Sequence, residues 1–246
     1  MSSYLKDLRD LKEIRDPIPV AWTADRPVRL SGETGTPRLR GWMHLGAALV
    51  TIPAGAALVA HASTSSAEAA IALYVTVLLV MFSVSASYHL IPMSARARYY
   101  MRRADHATIY VFIAAAYTPF CLLAVGGTLG SVVLGVVWAG AGAGVAVKLT
   151  SFDRLRPLCG GLYIVLGWLA VVTLPSALSV LTGSEVVLFV ATGLAYTAGA
   201  AVLALRRPDP VPDTFGYHEV WHSLVVVASA CYFLLIWALV TTAALR

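Results

Sequence analysis

Residues 217–245 read YHEVWHSLVVVASACYFLLIWALVTTAAL. From Ser223 to Leu245 no side chain is charged, and the run is long enough to cross a bilayer core, which takes ~20 residues as a helix. The stretch follows a proline-rich polar loop, Arg206 to Asp213, so the apolar run has an abrupt start. At that start stand His218 and His222. Four residues apart on a helix, they share one face, and imidazoles at i and i+4 are a standard way to give a metal two nitrogen ligands.

Working outward, the same kind of block recurs. The chain has 246 residues, 59% apolar and 13% charged, too few charges for a soluble domain of this size. Apolar blocks lie at about 41–62, 69–90, 105–125, 129–149, 158–181, 186–205 and 217–245. This predicts an all-α, seven-transmembrane-helix bundle over residues 41–246, a multi-pass protein of the cell membrane. Residues 1–40 form a separate segment. Within it, residues 4–16 (YLKDLRDLKEIRD) fit a short amphipathic helix, and 17–40, rich in Pro and Gly, reads as irregular. The polar N-terminus predicts no cleavable signal peptide. Cys121, Cys159 and Cys231 fall in apolar runs with no disulfide or metal spacing. Gly140 and Gly144 form a small-xxx-small pair suited to close helix packing.

A pI near 9.2 suggests nucleic acid in a soluble protein, but the charge distribution points elsewhere. Lys6, Arg9, Lys12, Arg15, Arg26, Arg29, Arg38 and Arg40 precede the first helix. Arg96, Arg98, Arg102 and Arg103 lie between the second and third, Arg154 and Arg156 between the fourth and fifth with Lys148 at the edge, and Arg206 and Arg207 between the sixth and seventh. The other three connections carry none. By the positive-inside rule the N-terminus is cytoplasmic and the C-terminus outside, and no nucleic-acid partner is needed to explain the basic balance.

Polar groups within spans are costly and mark function. The second block ends Ser85-Ala86-Ser87-Tyr88-His89, the third begins Asp105-His106, and the seventh begins with His218 and His222. Given the topology, Ser85, His89, Asp105, His218 and His222 fall at one depth in the inner leaflet. Three neutral imidazoles make a tri-histidine zinc site with one open position, where bound water has a pKa near ~7. Asp105 is placed to hold or deprotonate that water or to support a ligand, with Ser85 beside it, one helical turn before His89. Taken singly, His89 fits an interfacial histidine and Asp105 an N-cap of the third helix. Their shared depth favours a common site. His44 has the right depth for a supporting role, whereas His61 falls at the outer end and His106 faces away from Asp105.

His218-Glu219-Val220-Trp221-His222 also matches H-E-x-x-H, in which Glu is the general base of zinc peptidases. On a regular helix, however, Glu219 points about 100° from the histidine face, toward the loop arginines. No third-ligand motif of the intramembrane peptidase type is present.

Ser-x3-His in helix two, Asp-His at helix three and His-x3-His in helix seven, with Ala116-Tyr117-Thr118-Pro119-Phe120, resemble the hemolysin III family. That family is related to the progestin and adiponectin receptors, within a wider group that includes alkaline ceramidases. The resemblance covers about 41–246 and not 1–40. It implies zinc on His89, His218 and His222, Asp105 reaching the metal through water, Ser85 alongside, and hydrolysis of lipid amides or esters. A receptor-like protein with structural zinc, and a pore-forming cytolysin as the family name suggests, are the alternatives.

Overall fold

The computed structural model describes residues 37–150 and 156–243. The amphipathic helix expected over 4–16 lies outside the described residues, as does most of the irregular segment. Seven helical stretches among the described residues are long and apolar enough to cross a membrane. They are α1 (Trp42–Ala60), α2 (Ser65–Leu90), α3 (Ala95–Phe120, prolonged by a π-turn over Cys121–Val125), α4 (Gly127–Thr150), the fifth span described below, α7 (Gly183–Leu205) and α8 (Tyr217–Ala243). No β-strand forms among the described residues, apart from an isolated bridge between Val211 and Phe215.

The helix starts follow local chemistry. Thr64 accepts from the amide of Ala67 to cap α2, and Ser94 accepts from Ala97 to cap α3. At α7, Thr182 and Glu185 form a reciprocal capping box. The Ser94 cap corrects one expectation. The third helix starts ten residues before Asp105, so Arg96, Arg98, Arg102 and Arg103 lie on helical turns rather than in a loop. Asp105 is therefore an interior helix residue and not an N-cap. Hydropathy marks only the part of a helix inside the bilayer, and α3 continues beyond it.

The fifth span, expected as one helix over 158–181, is broken: α5 (Arg156–Trp168), a 3₁₀ stretch (Leu169–Thr173) and the short α6 (Leu174–Leu178). Pro175 has no N–H to donate and crowds the carbonyl of the preceding turn, so the regular helix cannot run through it. Where the helix gives way, the Tyr117 hydroxyl donates to the carbonyls of Leu166 (2.9 Å) and Gly167 (3.1 Å). In the same way Pro119 precedes the π-turn of α3, and the Tyr232 hydroxyl donates to the Ala116 carbonyl. The Ala116–Phe120 motif thus ties α3 to α5 and α8.

Consecutive helices pack side by side, and α1 closes the bundle by packing on both α2 and α8. The small-residue pair does what its spacing predicts: a Cβ on Gly140 would meet Leu166 of α5 at 2.7 Å, and one on Gly144 the Tyr110 ring of α3 at 2.5 Å. The main core, including Ile71, Tyr74, Leu78, Phe112, Leu235 and Ile236, joins α2, α3 and α8. Those three helices carry Ser85 and His89, Asp105, and His218 and His222 respectively, so the core sets the spacing of the polar groups at the arginine-rich end.

Candidate metal centre

His89 occupies the last turn of α2 and His218 and His222 the first two turns of α8. One nitrogen from each of the three lies within 4.8 Å of the other two. A tetrahedral zinc with Zn–N near ~2.1 Å needs nitrogens about 3.4 Å apart, which this spacing accommodates. The rings meet edge to face, with centroids 4.5 Å apart for His218–His222, 5.1 Å for His89–His218 and 5.2 Å for His89–His222. His222 is fully buried, while His89 and His218 are partly buried.

The donor chemistry fits a metal. His89 Nε2, His218 Nε2 and both nitrogens of His222 are buried and have no hydrogen-bond partner among the described residues. Buried polar atoms are nearly always paired, so this concentration of unmatched imidazole nitrogens suits a bound ion. Tyr88 and Trp221 flank them: Tyr88 and His89 centroids lie 4.7 Å apart, and Trp221 lies 5.3 Å from His218 and 5.1 Å from His222.

Asp105 and Ser85 are both buried, with the Ser85 hydroxyl close to the Asp105 carboxyl across the α2–α3 contact. The Asp105 carboxylate is not one of the atoms in the histidine group. His106 Nδ1 bonds the Arg102 carbonyl at 2.8 Å and stands 3.8 Å from Asp105, so it too stays outside the cluster. His61 belongs to the opposite end of the bundle, bonded to the Ala57 carbonyl of its own helix.

Glu219 is turned away from the histidines. Its completely buried carboxylate forms an ion pair with Arg40, from the segment before α1, and accepts the Gly216 amide at 2.9 Å. The sequence pattern directs Glu219 toward loop arginines; its partner is instead 179 residues upstream. A carboxylate committed to a guanidinium and to its own helix start is not positioned as the base of a peptidase.

Two contributors were not resolvable from spacing. Gly41 caps α1 with φ +86°, and a Cβ there would meet His89 Cβ at 2.8 Å. Both the backbone conformation and the close approach require glycine. His44, one turn later, stacks on His222 with centroids 3.9 Å apart and ring planes 13° apart. Its depth was legible in the sequence, but its partner was not. Backbone bonds from Arg38 to Asp213 and Leu39 to Thr214, both 3.1 Å, hold the start of α1 to the loop before α8. The first turn of α1 therefore touches both helices that carry the histidines.

Residues 33–233 match the family model described as haemolysin-III related. The chain is similar to Hemolysin-3 of Bacillus cereus, at 32% identity over 192 residues, covering 76% of this chain and 83% of that protein. It is similar also to a Hemolysin-3 homolog of Bacillus subtilis (strain 168), at 34% over 129 residues, covering 52% of this chain and 58% of that one. No solved structure matches. The family match begins ahead of the 41–246 expected, taking in Arg38 and Arg40, whose contacts hold α1 to α8. With seven spans, every histidine of the cluster inside the matched region and these relatives, the chain is a multi-pass protein of the cell membrane and belongs to the hemolysin III family.

Proposed function

We propose that this protein is a membrane-embedded zinc hydrolase of lipid amides or esters, with His89, His218 and His222 as the metal ligands. The observation that carries the reading is the trio of histidines with one ring nitrogen each within 4.8 Å of the others, each of which also has a buried nitrogen without a partner among the described residues. Zinc bound there supplies Lewis acidity to an acyl carbonyl and to water in an apolar surrounding. Asp105 takes a proton from the attacking water and delivers it to the departing amine or alkoxide as the acyl bond breaks. Ser85 holds the Asp105 carboxyl in orientation from across the α2–α3 contact. The arginine-rich end that carries the site faces the cytoplasm, since Arg and Lys cluster in the connections at that end and are absent from the others. On this reading the lipid substrate lies in the inner leaflet.

The test is metal analysis of the purified protein in detergent, followed by a screen of lipid amides and esters. About one zinc per chain and turnover that falls with Asp105→Asn are expected. Zinc without turnover, and indifference to Asp105→Ala, would leave a structural metal joining α2 to α8. The relatives' names, Hemolysin-3 and Hemolysin-3 homolog, suggest a second reading, membrane lysis. Its mark is leakage from liposomes that survives loss of the histidines.

A further inference from the structure

His44 is 3% exposed, and neither its Nδ1 nor its Nε2 has a hydrogen-bond partner among the described residues. It lies parallel to His222, and its other aromatic neighbour is Phe82 at 5.2 Å. For stacking alone a phenyl ring would serve without burying two polar atoms. A neutral imidazole carries one N–H donor and one acceptor nitrogen, and leaving them unmatched in an apolar interior is costly. His44 is not a member of the group of nitrogens close enough to share one ion, so a direct ligand role does not explain it. Nor is its position a matter of chance, because the turn that bears it is pinned by Gly41 against His89 and by the Met43 sulfur, which accepts from the Ser223 hydroxyl at 3.1 Å.

We propose that His44 is a ligand-binding residue of the centre, donating a hydrogen bond from its ring N–H to an oxygen atom of the molecule that occupies the remaining coordination position. His44 stacks face to face on His222, with centroids 3.9 Å apart, so its two nitrogens lie beside the proposed centre. The ligand class is an oxygen acceptor next to an acyl carbon: the carbonyl of a lipid amide or ester, or a carboxylate or hydroxamate in its place. The role needs a neutral imidazole throughout and no change of charge. The inference rests on the zinc-site reading above, but not on turnover.

The experiment uses the full chain in detergent micelles, with acetohydroxamate as the probe. Zinc content, the absorption spectrum of the cobalt-substituted protein and the probe's Kd are measured for wild type, His44→Phe and His44→Gln. His44→Phe keeps the stack and is expected to keep one metal per chain, while probe binding weakens about tenfold, the value of one hydrogen bond. His44→Gln, which retains an N–H donor, is expected to recover part of that loss. Equal probe binding by wild type and His44→Phe would reduce His44 to packing. Loss of metal in His44→Phe would make it a support of the ion rather than of the ligand. If the wild type binds the probe in a His44-dependent way but hydrolyses no lipid, the hydrolase reading falls and the assignment of His44 stands. A wild type without zinc overturns both.

Discussion

The two ends of the bundle use the same residue types to opposite effect. At the end that includes His61 and Glu185, each group is matched by its own neighbourhood. His61 bonds a carbonyl four residues back at 2.8 Å, and the buried Glu185 closes a capping box with Thr182. At the arginine-rich end Glu219 is likewise matched, by Arg40 and the Gly216 amide, and His106 by the Arg102 carbonyl, but four other histidines are not. His44, His89, His218 and His222 together leave six buried nitrogens without partners among the described residues. A folded chain rarely tolerates that, so the imbalance itself separates a place that binds something from a place that only ends helices.

The largest test of this contrast is His222→Ala. Removing a ligand should cost more than the 10–100-fold in metal affinity typical of an outer partner, so that dialysed protein retains almost no zinc by mass spectrometry. His61→Ala at the other end should leave metal content unchanged. Next comes Asp105→Asn, expected to lower lipid hydrolysis by about 10²–10⁴-fold with the metal retained, the usual contribution of a positioned acid–base group. Retained activity would remove Asp105 from the chemistry and return the centre to a structural role.

A pair of glycines probes the comparison more finely. Gly41 and Gly126 both have positive φ, +86° and +64°, but a Cβ on Gly41 strikes His89 whereas one on Gly126 meets nothing within 4 Å. Gly126→Ala should cost about 1–3 kcal/mol of stability from backbone strain alone, read by thermal unfolding in detergent, since its ψ of −175° lies in a region open essentially only to glycine. Gly41→Ala should add a loss of metal affinity in chelator competition, because His89 must shift. Equal behaviour of the two would deny that the α1 turn positions the ligand. The smallest effect on turnover is expected for Glu219→Gln. It should destabilise by about 1–3 kcal/mol through the weakened buried pair while leaving hydrolysis near the wild-type rate. A collapse of activity at unchanged stability would revive Glu219 as a base.

Much of this was legible in residues alone, for physical reasons that differ from case to case. The spans are legible because a bilayer demands a long uncharged run, whatever the neighbours are. The faces of His218 and His222, and of Ser85 and His89, follow from helical periodicity, which is local. The start of α3 was misplaced because an extramembrane helical turn carries no hydropathy signal; only the Ser94 cap marks it. The break in the fifth span had a local cause in Pro175, but the tyrosine that satisfies the exposed carbonyls comes from another helix.

The centre divides along the same line. Seven helices, the end at which the polar residues gather and the three histidines themselves follow from composition, charge asymmetry and spacing. These depend on the solvent and on residues within a few turns of one another. That His44 lies face to face with His222, that Gly41 must be bare to admit His89 and that Arg40 holds Glu219 away from the cluster are contacts between segments up to 179 residues apart. No periodicity encodes them. They exist because α1 closes the bundle between α2 and α8, and only packed helices bring those side chains within reach of one another.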